Sequence, residues 1–272
     1  MLSSVHWHYH RGRWLLPAAL CLALVGAAAA APDPPEREVT NALTAAQEAY
    51  DAAKARYATN APDNATAWHF ACACFDRADL ASTGAGRAAA AREGIEVCRR
   101  LLRQAPDLAA AHYYLAMNLG QLAQTKTLGA LSLVKEMERE WAAARALDPH
   151  FDFAGPDRNL GLLYRDAPGS PLSVGSRLKA AQHLQQAVDL NPDYPENYLN
   201  LIETHLKFNQ WEEAAAEDQK LRASLPAARK KLSGPHWRFA WEDWDMRQRN
   251  VLARLRSHPW KRGGRPPPPL DD

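Results

Sequence analysis

The chain has 272 residues and a formal net charge of +2, with 47% hydrophobic and 24% charged residues. Basic and acidic residues are intermixed, so the basic footprint of a nucleic-acid-binding protein is missing and no nucleic-acid partner is expected. Alanine occupies 52 positions, whereas valine occupies eight and isoleucine two. Because alanine is the best helix former and sheets need β-branched residues, this composition predicts an all-α protein and excludes a large β-sheet.

The N-terminal segment predicts an export signal. A basic stretch precedes an apolar run over residues 14–25, and the small residues 27–31 follow. This order is typical of a secretory signal peptide, so we predict that residues 1–30 are removed by cleavage near Ala29–Ala31. The mature protein is then expected to be periplasmic or secreted, with no stable membrane span. Two alternatives stay open: an uncleaved anchor, for which the apolar run is short, and lipidation of Cys21.

Prolines recur at nearly constant spacing through the rest of the chain. Pro62, Pro106, Pro149, Pro192 and Pro226 are separated by 44, 43, 43 and 34 residues. Since proline cannot continue the hydrogen-bond ladder of a helix, each one is expected to end one helix before the next begins. Between successive prolines, apolar residues have helical spacing in two stretches, which predicts four hairpins of amphipathic helices.

The third segment shows this pattern most clearly. Its first helix carries Leu-Gly-Leu-Leu-Tyr at 160–164, and its second carries Ala180, Leu184 and Ala187 before the closing proline. This order of residues resembles the tetratricopeptide (TPR) repeat. The first helix has an aromatic residue, Leu, a small residue and a second aromatic, and the second helix has Ala, an apolar residue, Ala and Pro. The resemblance covers about residues 62–228. It implies a right-handed TPR-type α-solenoid of about four helical hairpins with N- and C-terminal capping helices.

Three of the four repeats exceed the usual TPR length by nine or ten residues, judged by the proline spacing. The extra residues are expected between the two helices of each repeat. Residues 82–87 predict a flexible polar loop, whereas the apolar stretch 125–134 is expected to lengthen a second helix. Residues 167–175 contain two prolines and predict a stiff loop. Gly161, at the small-residue position, is expected where paired helices approach most closely.

Segments on both sides of the repeats are predicted to cap the solenoid. Residues 36–59 predict an N-terminal helix, and residues 235–257 predict a C-terminal one. Three tryptophans share one stripe of the second helix: Trp237, Trp241 and Trp244. We expect this stripe to be a buried cap, with a ligand groove as the alternative. The TPR-like domain then spans residues 36–258, and the proline-rich tail 259–272 is predicted to be disordered or polyproline II.

A narrower resemblance surrounds the loop of the third repeat. This part of the sequence is similar to the T-component family of TRAP transporters. The similar residues are 161–164, 167–172 and Gly175, and a helix that runs to 190–194 follows them. The similarity covers a short stretch around this one loop. It implies an exported helical-repeat protein that associates with periplasmic solute-binding proteins.

Sequence motifs for catalysis are absent: the chain has no Gly-Lys-Ser/Thr phosphate loop, Gly-x-Ser-x-Gly elbow or His-Glu-x-x-His zinc helix. The sequence therefore predicts no enzyme and no cofactor. Four histidines on predicted helices lack a second ligand at i+4, so no metal site is expected. They are His69, His112, His183 and His205. Cys72 and Cys98 are expected as small buried apolar residues on paired helices, with a disulfide between them as the alternative.

The candidates for partner contact are aromatic and polar side chains on or near the first helices, which line the concave face of a TPR solenoid. They are Tyr113, Tyr114, Asn118, Arg158, Asn159, Arg165, Tyr198 and Asn200. Leu172 is a further candidate because it lies in the stiff loop, although Leu172 and Val174 would alternatively seal the core. The leading hypothesis is an exported non-enzymatic scaffold that binds a protein or peptide in its concave groove. The alternative is a periplasmic transport accessory that binds a small apolar ligand or a solute-binding protein.

Overall fold

The computed structural model describes three stretches of the chain: residues 36–59, 63–126 and 129–257. The predicted signal peptide over residues 1–30, Cys21 and the tail over residues 259–272 therefore lie outside the described residues. In the described stretches the regular elements are ten α-helices and one short 3-10 turn, which confirms the predicted all-α fold. None of these helices is long and apolar enough to cross a membrane.

The first of two compact units extends to Leu147 and contains five helices. They are α1 (Glu36–Ala58), α2 (Asn64–Asp79), α3 (Gly84–Gln104), α4 (Ala109–Ala123) and α5 (Ala130–Leu147). Helix α2 pairs with α3 and α4 pairs with α5, while α1 packs on α2. Asp63 caps α2 by accepting the Thr66 N–H at 2.7 Å. Such capping satisfies a backbone donor that the first helical turn leaves free, so it fixes where the helix begins.

The second compact unit begins at Asp148 and also contains five α-helices. They are α6 (Phe151–Asp166), α7 (Arg177–Leu190), α8 (Pro195–Lys207), α9 (Trp211–Lys231) and α10 (Arg238–Ser257). Helix α6 pairs with α7, α8 pairs with α9, and α10 packs on α8. Ser176 caps α7 by accepting the Lys179 N–H at 3.2 Å. Both units thus consist of helical hairpins with one additional helix.

The α6–α7 hairpin is closely packed around a glycine. A Cβ added to Gly161 would lie 2.5 Å from Leu184 Cγ and 3.1 Å from the carbonyl oxygen of Ala180. Leu184 and Ala180 are fully buried. Protein interiors are close-packed, so no space remains there for a larger residue. The prediction that Gly161 marks a close approach of paired helices is confirmed.

Four of the five repeat prolines lie in the described residues, whereas Pro62 lies outside them. Three of them follow a helix end by two residues, as predicted: Pro106, Pro149 and Pro192. The prediction that Pro226 ends a helix is wrong, because Pro226 lies inside α9, which continues to Lys231. Leu221 and Ala228, on either side of this proline, are both buried. Burial of the two flanking turns offsets the hydrogen bond that proline cannot make, so the helix continues.

The extra residues of the three long repeats adopt different structures. The prediction of a polar loop over residues 82–87 is wrong, because Thr83 caps α3 and the helix starts at Gly84. The alanine-rich sequence that follows favours helix strongly enough to extend it toward the N-terminus. In the second repeat, α5 begins at Ala130. The predicted lengthening of the second helix by residues 125–134 is therefore confirmed for residues 130–134. Residues 167–176 form the predicted loop between α6 and α7.

The terminal helices agree with the predicted capping segments except at one boundary. Helix α1 matches the prediction, whereas α10 begins at Arg238, which places Trp237 in the preceding 3-10 turn. Trp244 is buried and packs edge-on against Trp241 with ring centroids 4.9 Å apart. Trp237 and Trp241 are half-buried. The expected buried cap is therefore formed most completely by Trp244.

Three cysteines lie in the described stretches, and none of the three forms a disulfide there. Cys98 is buried, as expected, whereas Cys72 is half-buried with its Sγ 3.9 Å from a carboxylate oxygen of Asp76. The alternative of a disulfide between Cys72 and Cys98 is not formed in this structure. Burial raises the pKa values of the Cys74 and Cys98 thiols, which keeps these two thiols protonated and unreactive.

His112 joins the two helices of the α4–α5 hairpin. Its Nδ1 lies 2.6 Å from Glu140 Oε2, and its Nε2 lies 2.8 Å from the carbonyl oxygen of Pro106. Both partners are acceptors, so both hydrogen bonds require a doubly protonated imidazolium. The hydrogen bond with Glu140 raises the pKa of His112. Burial alone would raise the pKa of Glu140, but hydrogen bonds from His112 and Arg139 lower it.

We expect His112→Gln to lower the free energy of unfolding more at about pH 5.5 than at about pH 9. A histidine whose pKa is raised on folding stabilises most below its ordinary pKa of about 6.5, and that contribution disappears as the pH rises through the folded value. Urea unfolding of the variant and of the wild-type protein at both pH values measures the difference. His150→Gln, at an exposed position, is the control. A destabilisation that grows with pH would contradict this assignment.

Candidate interaction surfaces

The nine residues predicted to contact a partner divide between the two units. Three lie on α4: Tyr113, Tyr114 and Asn118. Six lie in the second unit: Arg158, Asn159, Arg165, Leu172, Tyr198 and Asn200. Seven of the nine are buried, Arg165 is half-buried, and Leu172 is exposed. The contacts of the buried residues decide which surfaces remain available to a partner.

Asn118 connects the helices of the first unit. Its Nδ2 donates to the carbonyl oxygen of Ala71 at 3.0 Å and to that of Tyr114 at 2.8 Å. A Cβ added to Gly94 would overlap the Asn118 side chain, so α3 approaches this amide closely. The rings of Tyr113 and Tyr114 are buried and pack edge to face at 5.2 Å. The described contacts of Asn118 are therefore within the unit, and a partner-binding role for these three residues stays a prediction.

Arg158 holds an unusual turn at the start of α6. Asp152, Phe153 and Ala154 have φ values of 50°, 55° and 63°. This left-handed conformation costs a residue other than glycine on the order of 1–2 kcal/mol. The Arg158 guanidinium donates to the carbonyl oxygens of Asp152 and Phe153, both at 3.1 Å, and to the Asp152 carboxylate at 2.8 Å. It also donates to Asn197 Oδ1 at 3.1 Å, so it ties this turn to α8.

Asn200 and Tyr198 lie on the same helix as Asn197, and both are buried. Asn200 Oδ1 accepts a hydrogen bond of 2.6 Å from Arg247 Nη2, which links α8 to α10. Burial raises the pKa of Tyr198. Asn159 on α6 is also buried. A partner-binding role for these residues would require them to become accessible, and it stays a prediction.

Arg165 takes part in a three-residue ion-pair network. Its Nε and Nη2 donate to the two carboxylate oxygens of Asp166 at 2.9 and 2.7 Å. Lys207 Nζ donates to Asp166 Oδ1 at 2.7 Å. Burial alone would raise the pKa of Asp166, but Arg165 and then Lys207 lower it. One carboxylate thus binds two cations, so the three side chains together carry a charge of one positive unit.

The loop over residues 167–176 is closed by its own backbone. The N–H of Gly175 donates to the carbonyl oxygen of Pro168 at 2.9 Å, and the N–H of Ser176 donates to that of Tyr164 at 3.0 Å. A Cβ added to Gly175 would overlap a backbone carbonyl oxygen, so the close approach requires glycine here. The loop therefore has an internally bonded conformation, in agreement with the predicted stiffness.

Leu172 lies within this loop and is the most exposed of the large apolar side chains described, with 64% of its surface accessible. Its N–H donates to the carbonyl oxygen of Gly169 at 3.1 Å, which fixes its backbone in the closed loop. Val174 is half-buried. The alternative in which both side chains seal the core is therefore wrong for Leu172. Among the nine candidates, Leu172 is the one that the second unit presents openly to solvent.

A pocket of about 400 Å³ lies between α8 and α10. Its lining comprises Glu203, Lys207, Arg247, Asn250, Val251 and Arg254. Sequence reasoning missed all six. One signal was present, because the buried stripe of α10 continues from Trp244 through Arg247 to Val251. An arginine on a core-facing stripe indicates a specific charge partner, and here the partner is Glu203 at 2.9 Å.

The comparisons with known proteins identify the repeat. A family model of the tetratricopeptide repeat matches residues 174–229, and no curated protein sequence matches the chain. The fold is similar to the crystal structure of a thermophilic TPR protein of Thermus thermophilus, with a TM-score of 0.55 and 18% identity over 79% of this chain and 99% of that one. A MamA RS-1 double mutant matches with a TM-score of 0.46 and 18% identity, over 71% of this chain and 93% of that one.

The matched segment contains α7, α8 and most of α9, and therefore includes the complete α8–α9 hairpin. This match assigns a tetratricopeptide repeat to residues 174–229, and the chain shares the fold of a solved TPR protein. TPR folds are in general scaffolds for protein interaction. The resemblance of the third-repeat loop to the T-component family stays a prediction. In the described stretches, no group of three or more His, Cys, Asp or Glu residues is arranged to hold a metal ion.

Proposed function

We propose that this protein is an exported, non-enzymatic TPR scaffold that binds a protein or peptide partner. The observation that carries the proposal is the exposure of Leu172 on a loop whose backbone is already hydrogen-bonded. The rest of the proposed contact is the concave groove that the first helices of TPR repeats generally line. The TPR fold supports the general class of interaction scaffold, and the loop supplies a particular place of contact.

The loop combines two properties that favour docking. Burial of an exposed leucine against a partner stabilises a complex by about 1.5–3 kcal/mol when the burial is complete. A loop that is ordered before binding loses little conformational entropy, so more of this gain remains as affinity. Gly175 and the bond to Pro168 provide that order. Leu172 is therefore expected to act as an apolar anchor.

We expect Leu172→Ser to leave the melting temperature nearly unchanged and to weaken partner binding about tenfold or more. The partner is first recovered from periplasmic extract and identified by mass spectrometry, and its affinity for purified wild-type and variant proteins is then measured by calorimetry. Leu147→Ser is the matched control, because Leu147 is also an exposed leucine, 41% accessible, at the end of α5. Equal affinities for wild-type and Leu172→Ser would contradict the proposed contact.

Export is a separate part of the proposal and rests on the N-terminal sequence. We expect the mature protein in the soluble periplasmic fraction, with its first residue at Ala30 or Ala31. Sequencing of the N-terminus of the purified protein measures the cleavage site directly. A protein that begins at Met1, or that carries a lipid on Cys21, would contradict it.

The alternative function, a periplasmic transport accessory, makes a different demand on the structure. A small apolar ligand needs a concave site with predominantly apolar walls. The pocket between α8 and α10 is lined mainly by charged and polar side chains, with Val251 as its one aliphatic residue. Its chemistry therefore favours a polar ligand. The alternative in which the partner is a solute-binding protein is tested by the same recovery of a partner from periplasmic extract.

A further inference from the structure

A charged cluster lies in the middle of the contact between α10 and α8. On α10, Arg247 is buried on the same helical stripe as Trp244 and Val251, which are buried on either side of it. Its Nε and Nη2 donate to the two carboxylate oxygens of Glu203 on α8, both at 2.9 Å. Its Nη2 also donates to Asn200 Oδ1 at 2.6 Å. Arg247 therefore connects α10 to α8 through hydrogen bonds at the centre of an otherwise apolar stripe.

Two further carboxylates share this guanidinium. Asp243 Oδ2 lies 3.6 Å from Arg247 Nη1, and Glu196 Oε1 lies 4.0 Å from the same nitrogen, which are ion-pair distances beyond the hydrogen-bond range. These side chains form the Arg247 cluster, which consists of Arg247, Glu196, Glu203 and Asp243. With three carboxylates and one guanidinium, the cluster carries two excess negative charges when every group is ionised. Because burial removes the water that would stabilise these charges, the cluster favours protonation of one carboxyl group.

Asp243 is the carboxyl group of the cluster with the fewest hydrogen bonds. Glu203 accepts two from Arg247, and Glu196 accepts one from the hydroxyl group of Tyr194 at 3.2 Å. Asp243 has the 3.6 Å contact with Arg247 instead, and only 22% of its side chain is accessible. Burial is the largest effect on this group. Together with repulsion from Glu196 and Glu203, it outweighs the attraction by Arg247 and raises the pKa of Asp243 to about 6.

The other elements around α10 carry charged groups that are paired outside the Arg247 cluster. On α9, Arg229 Nη2 donates to Asp245 Oδ1 at 2.6 Å. Farther along α8, Lys207 Nζ donates to Asp166 Oδ1 at 2.7 Å. The 3-10 turn before α10 contributes one titratable side chain, the half-buried His236. The charges that act most strongly on the least supported carboxyl group are therefore those of the cluster itself.

We propose that the docking of α10 on α8 is a pH-sensitive contact, which tightens when the Asp243 carboxyl group takes up a proton and weakens when it loses that proton. Protonation removes one of the two excess negative charges and turns the carboxyl group into a donor for a neighbouring carboxylate. Ionisation restores the repulsion, so α10 separates from α8 more readily. Because Arg247 of α10 binds the buried Asn200, this separation makes Asn200 accessible. The inference goes beyond the proposed function, since it concerns α10 and does not depend on Leu172.

The direction of the pH effect follows from the proton uptake of the two states. An aspartate in an unfolded chain has a pKa of about 3.9, whereas the pKa of Asp243 in the folded protein is about 6. Between these values the docked state binds more protons than the unfolded state, so its stability falls as the pH rises. The contribution of Asp243 is therefore complete below about pH 4 and is lost as the pH rises through about 6.

Hydrogen–deuterium exchange followed by mass spectrometry measures the opening of α10. Wild-type protein and Asp243→Asn are compared at about pH 5 and about pH 7.5, because asparagine has a similar shape and is neutral at both. Comparison at equal pH cancels the intrinsic pH dependence of amide exchange. We expect the exchange rate of α10 in the wild-type protein, relative to the variant, to rise about tenfold between the two pH values. Peptides from α4, in the first unit, are the internal reference and should keep a constant ratio.

Asp245→Asn is the matched control, since it makes the same change on the same helix at a carboxylate that pairs with Arg229. It is expected not to reproduce the pH-dependent difference. A carbon-13 NMR titration of the wild-type carboxyl groups is a second measurement that requires no variant, and the midpoint of Asp243 is expected near 6.

Three outcomes would overturn the proposal. They are an α10 exchange ratio that is the same at both pH values, an equal pH-dependent difference in Asp245→Asn, and an Asp243 midpoint near the ordinary value of about 3.9. The proposed function is tested separately, because Leu172→Ser should leave the pH dependence of α10 exchange unchanged.

Discussion

Arg158→Met is expected to lower the free energy of unfolding by about 3–5 kcal/mol, the loss typical when one member of a buried ion pair is removed. The side chains of Arg158 and Asp152 are each only 2% exposed, and they lie 2.8 Å apart. Methionine fills a similar volume but donates no hydrogen bonds, so the Asp152 carboxylate loses its cation. The carbonyl oxygens of the left-handed turn lose their bonds to the guanidinium at the same time.

Urea unfolding measures this loss, and Arg238→Met provides the control. Arg238 lies in the same unit, and its pairing with Glu242 is 3.8 Å long and largely exposed, with 65% and 58% of the two side chains accessible. Exposed pairs of this kind contribute less than about 1 kcal/mol. If the two variants are destabilised equally, Arg158 does not stabilise the left-handed turn at the start of α6.

Gly161→Leu is expected to lower the free energy of unfolding by about 1–3 kcal/mol, since a larger side chain would overpack the α6–α7 interface. The new Cβ would meet Leu184 Cγ at 2.5 Å and the carbonyl oxygen of Ala180 at 3.1 Å. The neighbouring backbone cannot move without separating the two helices. Thermal unfolding followed by circular dichroism measures the effect.

Gly84→Leu is the control that separates the effect of overpacking from the effect of helix propensity. A Cβ added to Gly84 meets no atom within 4 Å, so Gly84→Leu changes the backbone preference without overpacking. Because leucine favours helix more than glycine does, this variant is expected to be as stable as the wild-type protein or slightly more stable. A Gly161→Leu variant with an unchanged melting temperature would show that the hairpin is packed differently.

The hairpin architecture could be predicted from the sequence because it depends on local signals. Proline removes a backbone donor wherever it occurs, and the apolar spacing shows which helical face is buried. These signals located the ends of three helices and the close approach at Gly161. They failed at Pro226, where burial of the neighbouring turns outweighs one missing hydrogen bond. They failed also at Gly84, where the cap at Thr83 starts the helix earlier than the glycine content indicates.

The candidate site was harder to predict, because periodicity does not show whether a polar residue faces solvent or another helix. Arg158 and Asn200 lie on first helices, as expected for partner contacts, yet both are buried in networks within the second unit. The turn that Arg158 holds contains no glycine at its positive φ positions, so no sequence signal predicted this left-handed turn. Leu172 was found because a loop with two prolines is stiff for local reasons. The α8–α10 pocket required tertiary contacts between Arg247 and Glu203 that spacing alone does not reveal.

Site-specific photo-crosslinking is the most direct test of the central proposal, which is that a protein partner binds at the third-repeat loop. A photoreactive amino acid replaces Leu172 in one protein and Leu147 in another, both at exposed positions. After irradiation in living cells, we expect one discrete crosslinked polypeptide from position 172 and none of that mass from position 147. No adduct at position 172, or the same adducts from both positions, would contradict the claim.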